Sequence, residues 1–498
     1  MPAWPPDVYA LTSVVLDHTE AYRFAVAPPA PWRWPPTPDW NERTAEVGRE
    51  WRACSTAPRP RPPRRVLEQY DLLMRRRDAS LASIRGGTDA ELSTVLLTLH
   101  AMADEASAGL TTTDGPFERR AWDLLDAHGS LSRLPPGRIR VLPKTRVPTR
   151  GLTIRSFSRH LALSYEAVEV DWQRMQPGRL VPPDRDFNVV LLPWPLSVQS
   201  SDFRPVKGPI DNMDTAFGCF EFAPATRLPR DLLAGVLRAA RRHVDRIDAV
   251  ILPECSIEAS ELPLVEEVLE EHDVISLIAG VRERADGNGF GTNRLQVAMR
   301  DGRSWRRIEQ AKHHRWCIDG PQVRQYHLSR ALDPSRQWWE AIALPERRIE
   351  VLDPAGGTTI APLICEDLAR IDEVADVLRR VGPTLVIALL LDGPQLRTRW
   401  PCRYASVLSD DPGSAVLTLT SLGMAARSRP PRTPPSRVVA SWSDVTTGSH
   451  ELSLGSGATA LLATARAHRG SGWTADGRRH LDSIADLALA SVRQLSAR

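Results

Sequence analysis

The sequence predicts an α/β fold of open sheets with a mainly helical N-terminal extension. From Phe187 onward, short apolar strands alternate with helical segments, which is typical of sheets covered by helices. In the first 130 residues the apolar positions instead recur with helical spacing. We therefore expect a helical domain over 1–130, a basic connector over 131–186 and an α/β domain over 187–498.

The N-terminal third begins with a leader rich in proline and tryptophan, up to about residue 40. This composition predicts extended connectors and little regular structure. Three helical segments follow, from Arg64 to Ile84, from Thr88 to Leu110 and from Pro116 to Ala127. Their apolar stripes are better explained by a helix–helix core than by a cofactor site.

The α/β region is expected to place its functional residues at the carboxyl ends of strands. The final segment, 482–495, is predicted to be a C-terminal helix that could pack on a partner subunit. The predicted strands cover 188–192, 249–252, 274–280, 294–300, 305–311, 360–364, 384–391, 415–419 and 459–463, and the other predicted helices cover 232–244, 262–271, 371–381 and 403–408.

The bulk composition is that of an ordinary soluble globular protein. Of 498 residues, 42% are hydrophobic and 25% are charged, and the net charge is only +3, which predicts no global attraction to nucleic acid or membrane. The sequence has no apolar membrane span and no signal peptide at its start. Six scattered cysteines without a CxxC pair predict reduced thiols in the cytoplasm, with no metal site.

Lysine is scarce in this chain, since only three of the 64 basic residues are lysines: Lys144, Lys207 and Lys312. Arginine stays protonated at any usable pH, whereas lysine can titrate when it is buried and can present a compact charge. Lys207 lies in an irregular loop and is best explained as a surface residue. For Lys144 and Lys312 we expect a chemical role.

Three predicted strands end in chemically useful residues, namely Glu254, Lys312 and Cys365. A carboxylate can take a thiol proton, an ammonium group can stabilise an oxyanion, and a thiolate can attack a carbonyl or nitrile carbon. Cys365 by itself is better explained as a small buried core residue, as most free cysteines are. The three residues together predict a nucleophilic site.

The order of the motifs Pro253-Glu254, Lys312 and Cys365-Glu366-Asp367 resembles the nitrilase, or carbon–nitrogen hydrolase, superfamily, particularly its glutamine-amidase members. The resemblance implies a four-layer αββα sandwich, a homodimer or a larger homo-oligomer or filament, and no cofactor. It also implies hydrolysis of a small amide-type substrate by a Glu254–Lys312–Cys365 triad, with the backbone N–H of Glu366 as a further oxyanion donor.

Four other residues are candidates for substrate binding or support. Many members of the superfamily carry a second glutamate soon after the lysine, but 313–325 contains none. Either Asp319 substitutes for it, a residue from the irregular insertion 193–229 does, or the site is impaired. His313 could orient the lysine or fill a strand edge. Arg399 and Arg403 lie where members of the superfamily often contact substrate, although a helix surface explains them equally well.

The tract 127–165 contains no acidic residue. Its basic side chains include Arg138, Arg140, Lys144 and Arg146, which could bind the phosphates of a nucleotide or a nucleic acid. A solvated surface is the slightly favoured explanation, because aromatic residues for base stacking are sparse there.

The tract Arg138–Lys144, the phrase Leu191-Leu192-Pro193-Trp194-Pro195 and the preceding helices resemble nitrilase modules linked to bacterial antiviral defence. This resemblance implies a defence effector regulated by its N-terminal domain or by assembly. The competing hypothesis is a catalytically weak or inactive module that binds a nucleotide, a nucleic acid or a protein partner.

Overall fold

A computed structural model of the chain describes residues 3–25, 27–55, 61–107, 186–207, 216–284, 290–301, 304–345, 347–354, 359–370, 374–429, 433–469 and 484–497, together with short strands at 117–118, 140–141, 161–164, 169–175, 472–473 and 479–480. The chain forms two compact units. The smaller unit comprises Met1–Arg174, Arg379–Gly382 and Arg469–Ala485, and the larger unit comprises Met175–Leu378, Pro383–His468 and Asp486–Arg498.

The helices, numbered along the described chain, are α1 Pro5–Thr19, α2 Trp40–Ser55, α3 Arg64–Arg75, α4 Leu81–Arg85, α5 Ala90–Ser107, α6 Arg230–Arg241, α7 Leu262–Glu271, α8 Gly320–Gln325, α9 Asp376–Val381, α10 Trp400–Asp410 and α11 Leu422–Arg427. Short 3-10 helices lie at Ala21–Ala25, Ser200–Asp202, Ala259–Glu261 and Cys365–Ala369. None of these helices has both the length and the apolar character that a membrane span requires.

The strands, numbered in the same way, are β1 Phe117–Glu118, β2 Arg140–Val141, β3 Leu161–Ser164, β4 Glu169–Met175, β5 Phe187–Leu191, β6 Phe203–Val206, β7 Phe217–Phe222, β8 Ala249–Glu258, β9 Ser276–Glu283, β10 Thr292–Asp301, β11 Ser304–Ala311, β12 Cys317–Ile318, β13 Gln337–Glu340, β14 Arg348–Pro354, β15 Ile360–Ile364, β16 Leu385–Leu390, β17 Ala415–Thr420, β18 Val438–Asp444, β19 Gly448–Ser453, β20 Ala460–Arg469, β21 Gly472–Trp473, β22 Arg479–His480 and β23 Ile484–Leu495.

The smaller unit is built around α5, which contacts α1, α2 and α3. Trp51 and Leu99 are fully buried in its core. The prediction of an extended leader is wrong at its start, because α1 is a helix. Proline is tolerated in a first helical turn, where its missing N–H would have no intrahelical partner. The predicted helix 64–84 is divided into α3 and α4, and Ser80 caps α4.

The larger unit has a mixed α/β fold with two extensive sheets. The first has the strand order β11-β10-β9-β8-β5-β20-β23, and the second contains β19-β18-β17-β16-β15-β14. Within them β5, β8 and β9 are parallel, as are β15, β16 and β17. A smaller sheet has the order β12-β13-β7-β6. The parallel segments bring several carboxyl strand ends to the same edge of their sheet.

Helices α6 and α7 pack on the first sheet through an apolar core that includes Val236 and Val268. In the second sheet, α10 contacts β17 and β18. Strand β8 contacts β16 and β17, so the two extensive sheets face each other where the predicted functional residues lie. The predicted strands and helices of this region are present with shifted ends, apart from the C-terminal helix.

The predicted C-terminal helix is wrong, because 484–495 forms the edge strand β23. This segment is rich in alanine and leucine, which are strong helix formers, but such preferences amount to only tenths of a kcal/mol per residue. Pairing beside β20 and burial of Leu487 and Leu495 outweigh them. The region 187–498 therefore has the expected mixture of helices and strands, but its last element is a strand.

Candidate active site

Glu254 lies within β8, at an irregularity that turns its side chain inward. The register between β8 and β9 shifts between Leu252 and Ile257, and Cys255 has a φ of +51°. Gly280 on β9 permits this geometry, since a Cβ there would lie 2.3 Å from the Glu254 Cα atom. The carboxylate of Glu254 is buried as a result.

Lys312 follows β11 directly, and its ammonium group lies between two buried carboxylates. Its Nζ atom is 2.8 Å from Glu254 Oε1 and 2.6 Å from Glu340 Oε2. The backbone N–H of Lys312 donates to the carbonyl of Asn293, which extends the β10–β11 ladder by one residue. Strand pairing therefore holds the backbone of Lys312, and the two carboxylates hold its ammonium group.

Asn293 bridges the carboxylates of Glu254 and Glu340. Its Nδ2 atom donates to Glu254 Oε1 and to Glu340 Oε1, at 2.8 Å in each case. The backbone N–H of Leu391 donates to Glu254 Oε2 at 2.6 Å, and that of Trp316 donates to Glu340 Oε2 at 3.2 Å. Both carboxylates thus accept several hydrogen bonds, which compensates their burial.

Cys365 stands at the turn between β15 and the 3-10 helix Cys365–Ala369. Its φ of +46° is in the left-handed region of backbone conformation, which residues other than glycine rarely adopt. Such strain is found disproportionately at functional sites, where the surrounding structure enforces it. The thiol is buried and sits at the first residue of the helical turn that contains Glu366.

The electrostatics couple the three predicted residues. Burial raises the pKa of the Cys365 thiol well above its ordinary value and Glu254 raises it further, while Lys312 lowers it. Burial also raises the pKa of Glu254, against the opposing effect of Lys312. Burial disfavours the lysine ammonium, but Glu254 and Glu340 outweigh this and raise its pKa well above the ordinary value. These shifts favour a protonated thiol at Cys365 and a charged ammonium group at Lys312.

The structure brings Glu254, Lys312 and Glu340 into one buried cluster, and Cys365 interacts electrostatically with Glu254 and Lys312. The predicted substitute Asp319 instead caps α8, because its side chain accepts a hydrogen bond from the Gln322 backbone N–H at 2.8 Å. The carboxylate beside the lysine therefore comes from the end of β13.

His313 and His314 contact Asp367, a buried acid two residues after Cys365. His314 Nδ1 lies 3.1 Å from Asp367 Oδ1, and His313 Nδ1 lies 3.8 Å from Asp367 Oδ2. The Nε2 atom of His313 also contacts the backbone of Arg348. Because Asp367 belongs to the 3-10 helix that Cys365 begins, these contacts connect the segment after Lys312 to the turn that carries the thiol.

The other predicted binding residues have varied positions. Arg399 is partly buried and pairs with Asp392, with 2.6 Å between its Nη2 atom and Oδ1. Arg403 is exposed on α10, and the side chain of Glu366 pairs with Arg370. Of the predicted phosphate-binding residues, the structure describes only the backbone of Arg140, which belongs to β2. The other three lie outside the described residues: Arg138, Lys144 and Arg146.

One set of potential metal ligands is found among the described residues, formed by Glu254, Cys255 and Glu340. Their ligand atoms lie within 4.8 Å of one another. The ammonium group of Lys312 already bonds to both carboxylates of this set. The lysine thus supplies the positive charge that a metal ion would otherwise bring.

Sequence reasoning did not identify Glu340, Asn293 or Gly280. A signal for Glu340 was present, because the short run Gln337-Trp338-Trp339 ends in this carboxylate in the same way that the apolar run of β8 leads to Glu254. The search for a second glutamate was confined to the residues that directly follow Lys312. The relevant strand begins 25 residues after the lysine, which places Glu340 beyond that window.

Comparison with protein-family models gives no match, and comparison with curated proteins gives none either. Solved structures that are similar to part of the chain include two nitrilase-related proteins. Nit3 of Saccharomyces cerevisiae, a member of branch 10 of the nitrilase superfamily, is 11% identical with a TM-score of 0.32, over 63% of this chain and 90% of that protein. The C. elegans NitFhit protein is 11% identical with a TM-score of 0.34, over 63% of this chain and 61% of that protein.

Proposed function

We propose that this protein is a cysteine-dependent hydrolase of carbon–nitrogen bonds in small, non-peptide amides. The observation that carries the proposal is the buried ammonium of Lys312, held between two carboxylates and coupled electrostatically to Cys365. A carboxylate, a cation and a thiol in one buried cluster provide a base, an oxyanion partner and a nucleophile. The sequence resemblance to the nitrilase superfamily supports the same reaction.

In the proposed mechanism, Glu254 takes the thiol proton and the sulfur of Cys365 attacks the amide carbonyl carbon. Lys312 and the backbone N–H of Glu366 stabilise the resulting oxyanion. The C–N bond then breaks, and the amine leaves with the proton from Glu254. Water activated by Glu254 hydrolyses the thioester, which releases the acid and restores the thiol.

Glu340 supports this mechanism by positioning the lysine. Its carboxylate keeps Lys312 charged, and its contact with Asn293 links it to Glu254. In this proposal, Glu340 at the end of β13 takes the role of the second glutamate that the sequence lacks directly after Lys312.

The wider parts of the proposal rest on the sequence resemblance. They are a four-layer αββα sandwich of the nitrilase type in the larger unit, assembly into a homodimer or filament, and a role as a cytoplasmic defence effector that its N-terminal unit regulates. Contact of the 127–165 tract with a nucleotide or nucleic acid belongs to the same proposal, and the absence of acidic residues there supports it.

Alkylation of the thiol tests the proposed chemistry. Iodoacetamide should modify Cys365 in the wild-type protein, as detected by peptide mass spectrometry, because Glu254 can remove its proton. Modification of Cys365 should slow strongly in Glu254→Gln and in Lys312→Ala. Cys54→Ala provides a matched control, since this partly exposed thiol belongs to the smaller unit.

Two results would contradict the proposal. The first is an alkylation rate of Cys365 that is the same in wild type, Glu254→Gln and Lys312→Ala. The second is unaltered biological activity in Cys365→Ala, which would favour a module that binds a partner without catalysis.

A further inference from the structure

Asp392 is a buried carboxylate near the nucleophile that the proposed reaction does not use. It follows Leu391 at the end of β16, and its side chain is 8% exposed. Strands β15 and β16 are parallel, with Ile364 paired to Leu389. Cys365 directly follows β15, and Asp392 comes two residues after the end of β16, so both residues follow neighbouring strand ends at the same edge of the sheet.

The Asp392 carboxylate uses its two oxygen atoms unequally. Oδ1 accepts hydrogen bonds from the hydroxyl of Tyr326 and from the guanidinium of Arg399. Oδ2 is buried and has no hydrogen-bond partner among the described residues. Since buried polar atoms are nearly always hydrogen-bonded, an open carboxylate oxygen beside a reacting group indicates a position for a donor on a ligand.

The charges around this oxygen favour a cationic donor. Asp392 is a buried carboxylate whose cationic partner, Arg399, is only partly buried. Because opposite charges attract more strongly in a buried site than in water, a cationic donor at Oδ2 is favoured over a neutral one. The Asp392 charge also raises the pKa of the Cys365 thiol, in agreement with their proximity.

We propose that the substrate is a small amide whose non-reacting part carries a primary ammonium group, and that this group donates a hydrogen bond to Asp392 Oδ2. The inference rests on the proposed hydrolase function and specifies its substrate class. Tyr326 and Arg399 hold the carboxylate through Oδ1, which leaves Oδ2 for the ligand.

Three thiol reagents that differ in charge test this inference on the full-length protein. They are 2-aminoethyl, propyl and 2-sulfonatoethyl methanethiosulfonate, which are cationic, neutral and anionic. The readout is the rate of disulfide formation at Cys365 by peptide mass spectrometry, divided by the rate with free cysteine. In wild type the cationic reagent should be preferred to the neutral one by about tenfold or more, and the anionic reagent should be slowest.

Asp392→Asn should reduce the ratio of the cationic to the neutral labelling rate to about one or below, because an amide N–H replaces the accepting oxygen. The remaining oxygen can still accept hydrogen bonds from Tyr326 and Arg399. Asp186→Asn is the matched control. It also removes one carboxylate, but from the residue before β5, where the carboxylate pairs with Arg466. The control should keep the wild-type preference.

A second measurement needs no variant. In wild type, n-butylammonium should slow labelling by the neutral reagent more than n-butanol does at the same concentration. Equal protection, equal normalised rates with the three reagents, or a cationic preference that Asp392→Asn leaves unchanged would each overturn the inference. Failure of the hydrolase function would be visible separately, as alkylation of Cys365 that does not depend on Glu254 or Lys312.

Discussion

Glu340 and Lys312 form a buried ion pair with 2.6 Å between Oε2 and Nζ, although 28 residues separate them in the sequence. A buried ammonium group is costly unless nearby carboxylates compensate it. Glu340 provides this compensation together with Glu254, so Lys312 remains a fixed cation at the site. This arrangement leads to the first prediction.

Glu340→Gln should lower kcat by roughly ten- to a hundredfold, less than the loss of a group that contacts the oxyanion itself. KM should change little, because Glu340 acts through Lys312. The acid limb of the pH–rate profile should also move to lower pH, since the charge of Glu340 raises the pKa of Glu254. Steady-state kinetics across pH measure both effects.

Glu309→Gln is the control for that variant, because Glu309 lies on β11 with an exposed side chain that pairs with Arg294. It should have wild-type kinetics. An unchanged kcat and an unmoved acid limb in Glu340→Gln would show that the ion pair has a structural role only.

The pH dependence of kcat/KM should have an acid limb with an apparent pKa above that of an ordinary glutamate. Burial raises the pKa of Glu254, and below that pKa the protonated carboxyl group cannot take the thiol proton. The raised pKa of Lys312 means that its deprotonation should cause no loss below about pH 10. A profile that stays flat through the acid range would contradict the assignment of Glu254 as the base.

Asp248 tests whether unfolding explains the acid limb. Burial raises the pKa of this carboxyl group to about 6. The folded state then binds a proton more readily than the unfolded state, so protonation of Asp248 adds stability as the pH falls through 6. Its titration therefore does not unfold the protein as the pH falls, and Asp248→Asn should keep the acid limb of the kcat/KM profile.

Asp319→Ala should reduce the free energy of unfolding by about 1 kcal/mol, because the side chain caps α8. Turnover should stay within about twofold of wild type, since surface caps rarely affect distant chemistry. Denaturant unfolding and kinetics measure the two quantities. Asp319→Asn, which can still cap the helix, should lose less stability. A large loss of turnover at unchanged stability would instead place Asp319 in the site.

Gly235→Ala tests the position of the C-terminal segment independently of catalysis. A Cβ at this position of α6 would lie 2.4 Å from the carbonyl oxygen of Ala497, so the substitution should destabilise the full chain by about 1–3 kcal/mol. In a chain that ends at Leu495 the clash is absent, and the substitution should stabilise by up to about 1 kcal/mol because alanine favours a helix. Denaturant unfolding of the four proteins measures this. The same effect in both backgrounds would contradict the packing of Ala497 on α6.

The prediction of fold from sequence succeeded where local patterns and tertiary packing agree. Helix α7 has the predicted bounds of 262–271, and the predicted hairpin is present as the antiparallel pair β10 and β11. It was wrong where they conflict. The alanine- and leucine-rich segment of β23 favours a helix locally, but the free edge beside β20 offers backbone pairing and burial that exceed that preference.

The sequence alone identified Glu254, Lys312 and Cys365 as candidates, because each follows an apolar or strand-like run directly. Lys312 and Cys365 do follow the ends of β11 and β15, whereas β8 continues past Glu254 to Glu258. Only the tertiary structure decided that Glu340 and Asp392 lie near them. Glu340 reaches the lysine because β13 pairs with β7, and Asp392 lies near the thiol because β16 is parallel to β15. Both relationships depend on sheet register, which is determined by the burial of whole sheet faces and not by any short stretch of sequence.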